Sequence, residues 1–289
     1  MLAAAVGLSA CATAGGSASP RVALVIGNAA YENAPVLVNP GNDAADMCAA
    51  LKRLGFRTQC VNNLRDRADF TRHVQEYVAQ LAQAGPQGVG VFYYSGHGVQ
   101  AANANYLIPT RAQPQAAAED PLRVLYGLDE LFARLRDGKP RRFQLVVLDA
   151  CRNDLFDDSP GRGAGPGSAA PSAVRSALLR SLQTGARAAP GLAPVKDAPE
   201  GTMVLYATAS KEAAFDGEGR NGPLTRHVLE HIGTRGLVVE EFFKRVTAGV
   251  QTETLRDFRK RQTPFIYGSF TGRFCFAGCP GEADVPPAF

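Results

Sequence analysis

The sequence predicts an α/β domain with a mostly parallel central sheet and helices on both faces. Short apolar runs that stop at Gly or at polar residues alternate along the chain with amphipathic stretches at helical spacing, the mark of successive βαβ units. The composition is that of an ordinary globule, with 289 residues, 45% of them hydrophobic and 20% charged. That length can bury a large core, and the composition excludes collagen-like, coiled-coil and wholly disordered chains.

The elements follow in order. Arg21–Gly27 (RVALVIG) reads as a buried strand. Apolar residues recur at helical spacing from Asn42 to Leu54, with Asn42 or Asp43 available as N-cap and Gly55 as terminator. Phe56–Val61 alternates as a second strand, and Ala68–Gln83 is a second amphipathic helix closed by Gly85-Pro86. Val89–Tyr94 (VGVFYY) and Phe143–Leu148 (FQLVVL) are buried strands, separated by a helix near Leu128–Arg136. Thr202–Ala207 (TMVLYA) is a fifth strand, followed by helices near Pro223–Ile232 and Val239–Val250. Between Pro160 and Pro199 the composition shifts to Gly, Ala, Pro, Ser and isolated Arg. A stretch that long without apolar period reads as an insertion. The expected organisation is a leader over 1–20, a large block over 21–159, the insertion over 160–199, a small block over 200–276 and a tail over 277–289.

Charge and cysteine usage narrow the class. Thirty-one Lys and Arg against 27 Asp and Glu give a net charge of +4, too balanced and too evenly spread to point to nucleic acid as a partner. No apolar run approaches the roughly 20 residues that span a bilayer. The first 19 residues hold an apolar stretch ending in Leu8-Ser9-Ala10-Cys11 and then small residues up to Pro20. This reads as a secretory signal, and L-S-A-C resembles a bacterial lipobox, with Cys11 as the lipidated residue. No Lys or Arg precedes the apolar stretch, and the other reading is a flexible Ala-rich leader. The first reading implies a bacterial cell-envelope protein on the periplasmic side, touching the membrane only through an N-terminal lipid. In that oxidising compartment Cys275 and Cys279 (F-C-F-A-G-C-P) form a small disulfide loop. Cys48 and Cys60 either pair or stand as two buried thiols, a matter of whether their Cα atoms lie within about 7 Å.

Two strands run directly into reactive residues. The third leads to Tyr94-Ser95-Gly96-His97-Gly98 and the fourth to Asp149-Ala150-Cys151-Arg152. In an open parallel sheet ligands bind beyond the carboxyl ends of the strands, so both tips share one edge. A thiol beside an imidazole is the pairing needed for nucleophilic acyl transfer. The Gly98 and Cys151 amides are candidate oxyanion donors.

These motifs resemble a known family. Val22–Asn28 (VALVIGN), Asn42–Ala44 (NDA), Phe92–Gly98 (FYYSGHG) and Leu148–Arg152 (LDACR) look like the caspase-like peptidases, most like bacterial metacaspase relatives, and the likeness resumes over Gly201–Ser210 and runs to about Phe276. Cys151 follows His97 by 54 positions, against a His-to-Cys separation of roughly 50 in caspases. The resemblance implies a caspase-like three-layer sandwich, His97 as catalytic imidazole, Cys151 as nucleophile and Gly98 as oxyanion donor.

Asp149 stands where animal caspases carry Gln, and Asp43 matches a second acid of the metacaspase S1 pocket. Two carboxylates favour a cation and repel an acid, so the expected activity is a cysteine endopeptidase cleaving peptides and proteins after Arg or Lys. Ser95 and Ser210 are weaker candidates for the pocket wall. Arg162, Arg175, Arg180 and Arg187 in the insertion are candidate self-processing sites or solubilising charges. No cofactor is expected. Calcium enters only through the resemblance, without an acidic loop to hold it. Two other readings compete. One is a non-catalytic caspase-like adaptor of the envelope. The other is a zinc peptidase through His227-Val228-Leu229-Glu230-His231, an H-x-x-E-H pattern whose residues are expected instead on a solvated helix face. His73 is expected on an exposed helix face.

Overall fold

The computed structural model describes residues 20–101, 104–113, 120–137, 143–151, 198–208, 214, 215, 217, 219–268 and 270–280, with 101 and 151 described in backbone only. Strands β1 (Arg21–Gly27), β2 (Arg57–Asn62), β3 (Val89–Ala101), β6 (Phe143–Cys151), β7 (Thr202–Tyr206) and β8 (Phe265–Gly268) lie in the order β2-β1-β3-β6-β7-β8. All neighbours run parallel except β8, which returns antiparallel on β7. Beyond this sheet β3 continues into an antiparallel pairing with β4 (Ala104–Leu107), which in turn pairs with β5 (Tyr126–Gly127).

Side-chain alternation divides the core into two layers. Ala23, Val25, Val91, Tyr93, Leu145 and Val147 pack on one face with α1 (Pro40–Arg53), α4 (Pro223–Ile232) and α5 (Val239–Phe258). Val22, Leu24, Ile26, Phe92, Tyr94, Val146 and Leu148 pack on the other with α2 (Arg67–Gln83) and α3 (Leu128–Asp137). A period of two on strands buried on both faces, covered by helices whose apolar residues recur at three and four, gives a three-layer sandwich. The chain passes from β1 to β2 on one side and then to β3 on the other. The crevice at the carboxyl ends of β1 and β3 is therefore the topological switch point, where open α/β sheets bind ligands.

Several elements differ from expectation. Helix α1 starts at Pro40 with Asn39 as N-cap and no side-chain cap bond. Neither Asn42 nor Asp43 caps it, because Pro at N1 pre-sets the helical φ and needs no amide partner, and Asp43 lies within the first turn. Gly27 sets where α1 begins, since a Cβ there would stand 2.3 Å from the Pro40 carbonyl oxygen and 2.7 Å from the Ala44 Cβ. Strands β3 and β6 run on to Ala101 and Cys151, well past their apolar cores, because they pair with each other as far as His97 and Cys151 and β3 then pairs with β4 from Gly98 to Ala101. The short strands β4, β5 and β8 carry no apolar run long enough to announce themselves. Helix α5 continues to Phe258, ending at Arg259 with φ 55°.

Both cysteine pairs are disulfides. Cys48 and Cys60 tie α1 to β2 with Cα atoms 6.1 Å apart, and Cys275–Cys279 closes the C-terminal loop. That loop brings Phe274 against Phe143 at 4.2 Å between centroids. His73 is half-buried, with Nδ1 2.6 Å from the Gln59 amide on β2; the neighbouring strand covers a helix face that looked open.

Candidate active site

The register of β3 against β6 sets one tripeptide beside another. Ser95 pairs with Asp149, Gly96 with Ala150 and His97 with Cys151. Neighbouring strands lie about 4.8 Å apart, so S-G-H and D-A-C form two adjacent rows at the carboxyl edge. Cys151 is the last residue of β6, and its side chain lies outside the described residues.

The imidazole of His97 is buried at 1% exposure. Its Nε2 lies 2.8 Å from the Pro35 carbonyl oxygen, which can only accept, so Nε2 carries a proton. The ring of Tyr31 packs on it at 4.5 Å between centroids. The Ile108 amide donates to the His97 carbonyl at 3.1 Å. This bond makes Gly98 and Leu107 a non-hydrogen-bonded pair of the β3–β4 ladder, which turns the Gly98 N–H away from β4.

Two residues back along β3 lies a buried pair of carboxylates, Asp43 and Asp149. Asp43 is 2% exposed and accepts from Ser95 Oγ at 3.1 Å and from the Gly222 amide at 3.1 Å. Asp149, 7% exposed, accepts from the Thr225 amide at 3.2 Å and from the Thr225 hydroxyl. The Tyr93 hydroxyl reaches the same Thr225 oxygen. Gly222 is the N-cap of α4 and Thr225 lies in its first turn. Both carboxylates thus rest on the positive end of one helix, where unpaired amides and the helix dipole favour an anion. Even so, burial, with the charge of Asp149 adding to it, pushes the Asp43 carboxyl up to about 7. Burial and the two carboxylates hold the Tyr93 phenol well above its ordinary range. Two carboxylates buried side by side with a raised pKa make a perturbed setting of the kind that marks a functional-site candidate.

The loop carrying Gly222 is fixed from outside. Arg220 forms a two-pronged ion pair with Asp46 of α1 at 2.8 and 2.9 Å, and Asn221 Nδ2 donates to the same carboxylate at 3.0 Å. Arg226 bridges the Asn221 carbonyl at 2.9 Å and Glu253 at 2.7 Å.

The structure brings His97, Gly98, Asp43, Asp149, Ser95 and the backbone of Cys151 to one rim. Ser210, Cys11, Arg162, Arg175, Arg180 and Arg187 lie outside the described residues. The expected solvated face of α4 is corrected for His227, which packs against Gly249 of α5 and sits 3.0 Å from both Glu230 and Glu253, one on each ring nitrogen. Two carboxylates already occupy its ligand positions. Among the described residues there is no group of three or more His, Cys, Asp or Glu able to hold a metal ion. Pro35, Tyr31, Gly222 and Thr225 went unseen in the sequence. Their roles come from main-chain groups and from partners far along the chain, and only the Pro at N1 of α4 hinted that a helix N-terminus stood ready there.

A peptidase family model described as the caspase domain (Peptidase_C14) matches residues 20–275. Mucosa-associated lymphoid tissue lymphoma translocation protein 1 of Homo sapiens is 29% identical over 146 residues, and its Mus musculus homologue is equally similar. The matched segment is 50% of this chain, and the chain spans 16% of the length of those relatives. Among solved structures, caspase-1 from Spodoptera frugiperda aligns with a TM-score of 0.56 and 13% identity, over 92% of this chain and 93% of that one. At such identity the likeness is one of fold.

Proposed function

Since the chain belongs to the caspase-domain peptidase family, whose members are cysteine peptidases, we propose that it is an endopeptidase with a Cys151–His97 dyad that cleaves after Arg or Lys. The observation that carries this reading is the register of Ser95-Gly96-His97 against Asp149-Ala150-Cys151. In support of the reading, the backbone of His97 pairs with that of Cys151, and Asp149 lies two residues before the cysteine on the same strand.

With Nε2–H held by the Pro35 carbonyl, Nδ1 takes the thiol proton and Cys151 sulfur attacks the scissile carbonyl carbon. The Gly98 and Cys151 amides receive the oxyanion. His97 then gives its proton to the departing amine, leaving a thioester. A water, deprotonated by the same Nδ1, hydrolyses the thioester and restores the thiol. No cofactor takes part. A long cationic side chain reaches Asp43 and Asp149, where a guanidinium finds two carboxylates and an acidic side chain meets repulsion. The two disulfides and the Cys11 leader support an oxidising, periplasmic location, with Cys11 as a lipid anchor.

Fluorogenic peptides differing only in the residue before the cleaved bond test this directly. Cleavage is expected with Arg and Lys and absent with Asp, and Cys151→Ala removes it; an Asp preference, or turnover by Cys151→Ala, contradicts it.

A further inference from the structure

The main chain of His97 is enclosed by a closed circuit of hydrogen bonds. Its N–H donates to the Tyr31 hydroxyl oxygen at 2.8 Å, and the Tyr94 hydroxyl donates to its carbonyl at 2.7 Å. The two hydroxyls are 3.2 Å apart. Tyr94 has committed its proton to the carbonyl, so Tyr31 donates to Tyr94. The chain of donors therefore runs from His97 N–H through Tyr31 and Tyr94 back to His97 C=O, each bond polarising the next. Tyr31 is 5% exposed and Tyr94 fully buried, and a satisfied buried network of this kind specifies one geometry.

Three features of the sequence make this circuit possible. Gly96 supplies the room, because a Cβ there would lie 2.7 Å from both hydroxyl oxygens. The same tyrosine ring that accepts from the His97 amide packs on the His97 imidazole, tilted at 51°. The loop bearing Tyr31 is itself pinned: Asn63 Oδ1 accepts from the Ala29 and Ala30 amides at 3.0 Å, and the Glu32 amide donates to the Thr110 carbonyl at 2.9 Å. That loop also carries Pro35, whose carbonyl holds Nε2. One anchored segment thus grips both the backbone and the ring of His97.

We propose that Tyr31 and Tyr94 are positioning residues that hold His97 in register for proton transfer, a role that deepens and rests on the peptidase reading. Catalysis is sensitive to such placement, since a small displacement of a catalytic group costs rate without costing affinity. Removing the Tyr31 hydroxyl opens the circuit at the His97 amide. Removing that of Tyr94 costs less, because the His97 carbonyl keeps the Ile108 amide at 3.1 Å.

The test compares wild type, Tyr31→Phe, Tyr94→Phe and the double variant, all in the full chain, with thermal melts to establish that each is folded. Two readouts are taken. One is kcat and KM on an Arg peptide; the other, free of any substrate, is the pH dependence of iodoacetamide alkylation at Cys151, located by peptide mass mapping, with His97→Ala as reference. Expected is a kcat loss of about tenfold in Tyr31→Phe, a smaller one in Tyr94→Phe, and KM within about twofold. The double variant falls no more than about twofold below Tyr31→Phe, since either change opens the same circuit, and its alkylation profile shifts towards that of His97→Ala. Unchanged kcat with an unchanged alkylation profile overturns the proposal, as does a loss confined to KM. If one variant does not fold, the other decides by the same criteria. A wild type that cleaves no peptide yet shows a His97-dependent alkylation profile removes the peptidase reading while the alkylation series still judges the clamp.

Discussion

Ser95 and His97 stand two positions apart on β3, yet their surroundings are built in opposite ways. Around Ser95 the structure buries charge, and donors that satisfy it come from the far end of the chain, the Gly222 and Thr225 groups at the start of α4. Around His97 it holds the ring and its peptide through uncharged groups of Tyr31, Pro35, Tyr94 and Ile108, all from the N-terminal half. The acidic pair depends on closure between distant segments, whereas His97 depends on one loop, its own strand and the residue that follows β4. Selectivity and turnover should therefore separate under mutation.

The largest effect is expected at the acids. Asp149→Asn should lower kcat/KM for an Arg peptide about a thousandfold, and that for the neutral citrulline analogue far less, because a buried cation loses its charged partner. Equal losses on both peptides would show that Asp149 is structural. Thr225→Val is next. It keeps the amide bond to Asp149 but loses the hydroxyl bond, and should raise KM for Arg about tenfold with kcat little changed. A fall in kcat alone would mean that the α4 end serves the imidazole too.

Proton linkage gives a third separation. With the Asp43 carboxyl pushed up to about 7, the pocket gains negative charge as pH rises through that value. In Cys151→Ala protein the affinity for an Arg peptide should rise about tenfold between about pH 6 and pH 8 while citrulline binding stays flat, measured calorimetrically. Stability moves the other way. The folded state holds this proton more tightly than the unfolded chain, so the contribution of Asp43 to stability is fully present below about pH 4 and is lost as pH rises to about 7. Asp43→Asn should flatten that loss. The smallest effect concerns the Cys48–Cys60 bridge between α1 and β2. Replacing both by Ser should cost about 3 kcal/mol, a drop of roughly 6–12 °C in Tm, with the Arg preference intact.

Much of this architecture was legible in the sequence, because it rests on periodicity. The runs RVALVIG, VGVFYY and FQLVVL mark strands buried on both faces, and the residues just after the last two mark the reactive rim. What escaped has a common cause. Strands β4, β5 and β8 are held by pairing with neighbours rather than by their own apolar pattern. Pro35 contributes a carbonyl, Gly222 an amide, and Tyr31 a hydroxyl aimed at a residue 66 positions away. Such contacts leave no local trace. Local chemistry offered Asp43 as a helix cap and only the family resemblance offered it as a pocket acid, while its burial beside Ser95 follows from the crossover that lays α1 against β3.

The central claim is that a cysteine nucleophile works beside a pocket built for a cation. It is tested most directly by steady-state cleavage of matched peptides with Arg, Lys, citrulline or Asp before the scissile bond, by wild type and Cys151→Ala. The account predicts turnover of the Arg and Lys peptides by wild type alone, with citrulline at least a hundredfold slower, roughly the loss of a buried charge pair. Equal rates on Arg and citrulline, or preference for Asp, would contradict it.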